Sequence, residues 1–196
     1  VGARGYNSGQ GAAYIFVLIG TTWSQQSILT ASDGVSSDDQ FGNSVSISGD
    51  YAIVGAPYND DVGTNSGSAY IFKRSGDAWS EQAKLTAGGD AASGDSFGSS
   101  VSISGDYAIV GASRNDDGGT DSGSAYIFTR NVTTGVWSEQ QKLIASDRQA
   151  GDRFGQSAIS GDYAIVGAWQ KSGGGAAYIF KRNVDTWSQQ KIVGLN

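Results

Sequence analysis

The chain has 196 residues, with 30 Gly, one Pro, no Cys, Met or His, and a formal net charge of −6 at pH 7. The absence of Cys and His excludes a disulfide framework, a Cys/His zinc site and a Ser-His or Cys-His nucleophile pair. The net negative charge argues against nucleic acid and anionic membranes as partners, because both select a basic face.

The first predicted strands form an incomplete unit. Val1-Gly2-Ala3 aligns with the end of a strand that later units contain in full. It is followed by an Ala-Tyr-Ile-Phe strand at Tyr14 and a Trp-Ser strand at Trp23. The chain therefore opens with about half of a repeat.

The first complete unit begins at Phe41 and predicts four strands. In Ser44–Ser48, apolar residues alternate with Ser, which indicates a strand with one small polar face. Tyr51–Val54 is a continuous apolar run, typical of a strand buried on both sides, and only a tight hairpin joins it to the first. Ala69–Phe72 and a more exposed segment from Trp79 to about Ala87 complete the unit.

This unit recurs along the chain. Phe97–Ala112 repeats Phe41–Ala56 almost unchanged, and Phe154–Ala168 repeats it with one residue deleted. Four antiparallel strands per unit, with Gly-rich junctions, are typical of a β-propeller blade. We therefore predict an all-β propeller segment of about three and a half blades, with a β-sandwich as the competing fold. Its one domain, 1–196, divides into a half blade with its following loop (1–40) and whole blades at 41–96, 97–153 and 154–196.

The Phe41-Gly42 and Gly55-Ala56 pairs, with their copies, resemble the FG-GAP repeat of integrin α-subunit propellers. They are still more similar to bacterial FG-GAP repeat proteins, whose units end in similar Tyr-Ile-Phe and Trp-Ser-Gln strands. The resemblance covers the whole chain and implies a propeller. The integrin calcium loop, Asp-x-Asp-x-Asp-Gly, is replaced here by Ile47-Ser-Gly-Asp50. Because one Asp cannot supply the six to eight oxygens that calcium takes, those calcium sites are not expected here.

Alternating strand directions put the long connections on one rim, which we expect to be strongly acidic, and the short turns on a neutral opposite rim. The rim of long connections is predicted to hold more than half of the acidic residues and few bases. Its acids are Asp33, Asp38, Asp39, Asp60, Asp61, Asp90, Asp95, Asp116, Asp117, Asp121, Asp147 and Asp152, and its bases are Arg4, Arg114, Arg148, Arg153 and Lys171.

Two segments of this rim, Asn59–Gly67 and Asn115–Gly123, concentrate oxygen ligands. One interpretation is a calcium or other hard-cation site built from Asp60, Asp61, Asp116, Asp117 and Asp121. The alternative is that Asn, Asp, Gly and Ser merely form tight loops with Asx-turns. The Asp two residues before the Phe of each Phe-Gly pair (Asp39, Asp95, Asp152) is interpreted as a hydrogen-bonding link between loop and strand.

Trp169 is the aromatic residue that the scaffold does not require. It stands where other units have Arg4, Pro57 or Ser113, at the start of a loop. With Lys171, Tyr58 and Arg114 it forms the predicted ligand- or partner-binding set. The Trp residues that start the outer strands are expected to pack between blades rather than bind sugars.

These features favour an extracellular binding or adhesion module, secreted or on the cell surface, that uses its acidic rim. The alternatives are a structural subunit of a surface layer or filament and a sugar-binding propeller. No enzyme is expected, because Glu81 and Glu139 occupy equivalent repeat positions and mark no unique site. No cofactor is expected beyond the possible calcium, and no apolar run is long enough to span a bilayer. The open half blade predicts completion by a protein partner or other copies of the chain, and favours a processed part of a larger propeller.

Overall fold

The computed structural model describes residues 1–34 and 38–194, which form four antiparallel sheets. Blade 1 consists of β1 (Gly2–Ala3), β2 (Ala12–Ile19) and β3 (Thr22–Leu29). Blade 2 consists of β4 (Ser44–Ser48), β5 (Tyr51–Ala56), β6 (Ser68–Ser75) and β7 (Ala78–Leu85). Blade 3 consists of β8 (Phe97–Ser104), β9 (Tyr107–Ala112), β10 (Ser124–Arg130) and β11 (Trp137–Leu143). Blade 4 consists of β12 (Phe154–Ser160), β13 (Tyr163–Ala168), β14 (Ala176–Asn183) and β15 (Thr186–Gly194).

Each complete blade is a meander in which consecutive strands are neighbours, as the repeat predicted. The only helical element of the described chain is a 3-10 turn at Gly88–Asp90, and no helix there is long and apolar enough to cross a membrane. The prediction of propeller blades is confirmed. The first unit has a short third strand besides the two predicted at Tyr14 and Trp23, because β1 pairs with Ala12 and Ala13.

The core lies between successive blades rather than within any one of them. Strand β8 lies against β4 and β5, and β12 lies against β8 and β9. Ile53 and Ile71 of blade 2 are buried against Phe97 and Ile103 of blade 3, and the next junction repeats this arrangement. In the described chain, blades 1 and 4 do not pack against each other, so the blades form an open arc.

The Phe-Gly and Gly-Ala pairs meet across each junction. A Cβ on Gly55 would overlap the carbonyl oxygen of Gly98, and a Cβ on Gly111 would overlap that of Gly155. Both contacts join the second strand of one blade to the first strand of the next. The glycines are therefore required by close approach of two backbones.

This close approach also brings Ser hydroxyl groups of one inner strand to the backbone of the next. The Ile103 N–H donates to Ser46 Oγ at 3.2 Å, and the Ile159 N–H donates to Ser102 Oγ at 3.2 Å. The small polar face predicted for the first strand of each unit is thus an inter-blade hydrogen-bonding surface. It satisfies backbone donors of an edge strand that lacks a second neighbour.

The close approach predicts that replacing two equivalent glycines by Ala lowers the stability of the fold by very different amounts. Gly111→Ala should lower the free energy of unfolding by about 1–3 kcal/mol or more, because its methyl group would enter the Gly155 backbone. Gly167→Ala in blade 4 should cost far less, because the nearest atom to its new methyl group lies 3.6 Å away. Neither position needs a left-handed backbone conformation. Denaturant unfolding of both variants measures the difference, and equal losses would contradict the assignment.

Candidate functional site

The long connections lie together on one side of the blades, as predicted. We call this surface the loop rim; it comprises residues 4–11, 57–67, 113–123 and 169–175 within blades and 30–34, 38–43, 86–96 and 144–153 between them. Neighbouring loops are joined by their backbones, for example from Gly94 N to Thr64 O at 2.9 Å and from Gly151 N to Thr120 O at 2.8 Å. The rim is thus a continuous surface of paired loops.

A buried carboxylate before each Phe-Gly anchors these loops, which confirms its predicted linking role. Asp95 accepts a hydrogen bond from Asn115 Nδ2 at 3.1 Å, and Asn115 Oδ1 accepts one from Ser124 Oγ at 2.8 Å. Asp39 and Asn59 form the same link in blade 2. Burial raises the pKa of Asp95, although the bond from Asn115 opposes this shift.

Lysine side chains from the outer strands occupy the spaces between the rim carboxylates. Lys84 of β7 binds Asp33 at 2.6 Å and also binds Asp61, and Lys142 of β11 binds Asp90 at 3.3 Å and also binds Asp117. These lysines were not predicted to lie on the rim, because they belong to strands. The rim is therefore less acidic than expected.

Lys171 takes over the same role in blade 4 from a different place in the chain. The strand residue that pairs with Tyr178 is Ile192, whereas Tyr70 and Tyr126 pair with Lys84 and Lys142. The Lys171 ammonium, which comes from the loop, binds Asp152 at 2.9 Å and Asp147 at 3.4 Å. Lys171 is therefore an internal counter-ion and has little capacity to bind a ligand.

The electrostatics of these clusters keep the lysines charged. Burial alone would lower the pKa of Lys142, but its hydrogen bonds to Asp117 and Tyr126 raise it above the ordinary value. Desolvation would also lower the pKa of Lys171, but its interactions with Asp152 and Tyr178 together outweigh it and raise that pKa. Desolvation alone would raise the pKa of Asp147, but hydrogen bonds from Tyr178 and Lys171 lower that pKa below its ordinary value.

The five candidate calcium ligands all bind protein groups. Asp61 and Asp117 bind the lysines described above, and Asp121 accepts a bond from Arg153 Nη2 at 2.9 Å. Asp60 Oδ1 and Asp116 Oδ1 each accept a backbone N–H from the residue five positions later at 2.7 Å, and these bonds close the two loops. Within the described part of the chain, no group of three or more acidic side chains could hold a metal ion. This arrangement does not fit a calcium ion and favours the tight-loop interpretation.

Trp169 lies on the rim surface, with 54% of its area exposed. The Arg153 guanidinium carbon stands 5.7 Å from the centre of its ring, and Arg153 in turn binds Asp121. Tyr58 is half-buried and Arg114 is exposed, but they occupy one equivalent position in blades 2 and 3. Among the described residues, no hydrogen bond, ion pair or ring contact joins either of them to Trp169. The predicted set is thus spread over three blades. The residues that adjoin Trp169 are Arg153 and Asp121, which were not predicted to belong to this set.

The opposite rim consists of tight turns and internally paired charges. Arg74 binds Asp50 at 2.6 Å, and the equivalent pairs Arg130–Asp106 and Arg182–Asp162 repeat this contact. This surface is close to neutral, as predicted. It carries no candidate site.

Comparisons with known proteins agree with this architecture. The model of the FG-GAP repeat family matches residues 23–72, 79–128 and 137–180, which together make up most of the chain. The crystal structure of Saccharomyces cerevisiae Sqt1, a propeller, is similar with a TM-score of 0.50 and 10% sequence identity. The alignment covers 78% of this chain and 35% of the Sqt1 chain, so it supports the fold alone. No curated protein matches the chain.

The lysine contacts lead to a prediction about metal dependence. Because ammonium groups and backbone N–H groups already bind the candidate carboxylates, the melting temperature should be the same in EDTA and in added calcium. Differential scanning calorimetry in both buffers checks this. A calcium site at 100 times its dissociation constant would instead add about 2.7 kcal/mol to the unfolding free energy and raise the melting temperature.

The buried Tyr hydroxyls lead to a prediction at alkaline pH. Burial and the hydrogen bond to Asp147 raise the pKa of Tyr178 from 10.0 to about 12. Because the unfolded chain then loses this proton first, the stabilisation is complete below pH 10 and is lost as the pH rises towards 12. Tyr178→Phe should flatten this loss, whereas Tyr163→Phe, which alters an exposed hydroxyl, should not. Unfolding measured across this pH range, with tyrosinate absorbance, tests the difference; identical profiles for both variants would contradict it.

Proposed function

We propose that this chain, which belongs to the FG-GAP repeat family, is a protein-binding module that engages its partner through the loop rim. The observation that carries this proposal is the exposed Trp169 ring beside Arg153 and Asp121. Every other Trp in blades 3 and 4 is buried between blades, so the exposure of Trp169 has no packing explanation. An exposed amphipathic ring on a charged surface is typical of interaction sites.

The charges of the rim indicate what kind of partner it fits. The carboxylates of Asp60 and Asp116 are exposed and contact backbone donors, so their negative charge is not cancelled by a lysine. Together with Trp169 they suit a basic protein segment that brings Lys or Arg side chains to the rim. A neutral sugar stacked on Trp169 is the alternative ligand.

We further propose that the module acts outside the cell, in adhesion, and that it is not an enzyme. The resemblance to integrin and bacterial FG-GAP propellers supports the extracellular assignment. The absence of an enzymatic role is supported by Glu81, whose carboxylate accepts bonds from Ser32 N and Ser32 Oγ at 2.9 Å and thus links two blades. Gln189 makes the equivalent contact with Ser146, which is expected of a scaffold position rather than a catalytic one.

The proposal is tested by titrating the chain with a lysine-rich peptide. Binding should weaken as salt rises to about 0.15 M, because the contacts are largely exposed ion pairs. Trp169→Ala should weaken it about fivefold or more, as loss of a central aromatic contact does. Asp116→Asn should weaken it by a smaller factor, since the amide keeps the hydrogen bond to Asp121 but loses the charge. Asp162→Asn on the opposite rim is the matched control and should have no effect.

Other outcomes would overturn this assignment. Equal effects of Asp162→Asn and Asp116→Asn would mean that the peptide responds only to net charge. Binding of a neutral oligosaccharide that requires Trp169 and is insensitive to salt would favour the sugar-binding alternative. A loss of folding stability in Trp169→Ala comparable to that of a buried Trp would show that the ring is structural.

A further inference from the structure

Arg148 carries an unpaired charge on a rim whose other bases mostly bind carboxylates. Lys142, Lys171 and Arg153 all form ion pairs with rim acids. Within the described part of the chain, no hydrogen bond or ion pair joins the Arg148 side chain to another group, although the residue is half-buried. A half-buried guanidinium without a partner is unfavourable for the fold, so stability does not explain its presence.

The backbone of Gly118 supports the Arg148 side chain. A Cβ built on Gly118 would lie 2.5 Å from both Cδ and Nε of Arg148, so the arginine stem lies directly on the glycine backbone. Gly118 does not have a left-handed conformation, so the close approach and not the turn requires a glycine here. The guanidinium is therefore held in a restricted position on the rim.

The preceding junction shows that the scaffold does not need this pair. The residues equivalent to Gly118 and Arg148 there are Val62 and Ala91. Both junctions otherwise keep the same links: in each, the residue after this position donates its N–H to the buried Asp before Phe-Gly, at 3.0 and 2.9 Å. Val and Ala are thus replaced together by Gly and Arg, at two positions that are distant in sequence and in contact in the fold.

The chemistry of a guanidinium indicates the group that it binds. Its N–H donors form a planar fork that matches the two oxygens of a carboxylate. The acids next to this position are already engaged, since Asp147 binds Lys171 and Tyr178, and Asp117 binds Lys142. A carboxylate supplied by another molecule would fit the vacant donors.

We propose that Arg148 binds an Asp or Glu side chain of the protein partner, so that the rim recognises a segment with an acidic residue close to a basic one. This inference rests on the function proposed above, because it assumes that the partner docks on the loop rim. Gly118, beneath the Arg148 side chain, is two residues from Asp116, at most about 7 Å along the chain. Residues i and i+2 on one face of an extended segment have a similar spacing, so one short segment can reach both charges.

The test compares peptides that carry the same lysines and differ only by Glu or Gln at one position. All end in amides, so no terminal carboxylate competes, and the Glu or Gln is moved along the peptide in a short series. Isothermal titration calorimetry measures the dissociation constants. In at least one register, the Glu peptide should bind the unmodified chain about fivefold more tightly than its Gln counterpart. The sign is diagnostic, because the net charge of −6 would by itself weaken binding of the Glu peptide.

Two variants should remove this preference in different ways. Arg148→Gln removes the charge, whereas Gly118→Ala keeps the charge and places a methyl group where the arginine stem lies. With either variant, the Glu peptide should lose its advantage. Lys73→Gln, which alters an exposed base of β6 outside the loop rim, makes the same change in net charge as Arg148→Gln. It is the matched control and should keep the preference.

A charge reversal guards against loss of folding. Arg148→Glu should bind most tightly the peptide with Lys at the position where the unmodified chain prefers Glu, and an unfolded variant could not produce this reversal. Melting temperatures of all variants are compared with that of the unmodified chain.

Different results would contradict this inference and the proposed function. If lysine peptides bind through Trp169 but the Glu and Gln peptides bind equally in every register, the role of Arg148 is wrong and the rim still binds basic segments. Loss of the preference in Lys73→Gln would show that it reflects net charge only, which also contradicts the inference. If no lysine peptide binds in a way that depends on Trp169, the proposed function fails and this inference fails with it.

Discussion

The close contact of two glycine backbones at each junction is the constraint on which the remaining structure depends. Where Gly55 meets Gly98 and Gly111 meets Gly155, the inner strands come close enough for Ser hydroxyls to reach the neighbouring N–H groups. The same approach closes the apolar layer between blades. The Phe-Gly and Gly-Ala pairs therefore act as two halves of one contact, although many residues separate them in sequence.

The fold could be predicted from the sequence because its determinants repeat and are local. Alternation in Ser44–Ser48 and the apolar run after Tyr51 specify strands whatever surrounds them, and the copies of Phe41–Ala56 specify how often they recur. The pairing of Gly55 with Gly98 could not be predicted, because a glycine that avoids a backbone clash looks the same as one in a turn. It became recognisable only when the blades were placed side by side.

The candidate site was less predictable, since its charge balance depends on residues outside the loops. The acids of Asn59–Gly67 suggested a cation site, but the cation present is the ammonium group of Lys84, which belongs to a strand. Lys171 illustrates the same limit. Its loop position suggested ligand binding. In the fold, however, Lys171 binds Asp152 as Asn115 binds the equivalent Asp95 in blade 3. It also binds Asp147 as Lys142 binds the equivalent Asp90. Trp169 was singled out because no equivalent residue in another blade resembles it; the structure shows that it is exposed, and its role in binding stays a prediction.

The difference between the rim and the junctions follows from the physical roles of loops and strands. Rim residues lie on loops held by buried anchors such as Asp95 and Asn115, so a neighbour such as Trp169 can change without disturbing the blades. Strand residues such as Ile53 and Ile109 form the apolar layers between blades, and their identity is restricted by the junction they make. One repeated unit can thus supply both a variable binding rim and a fixed set of junctions between blades.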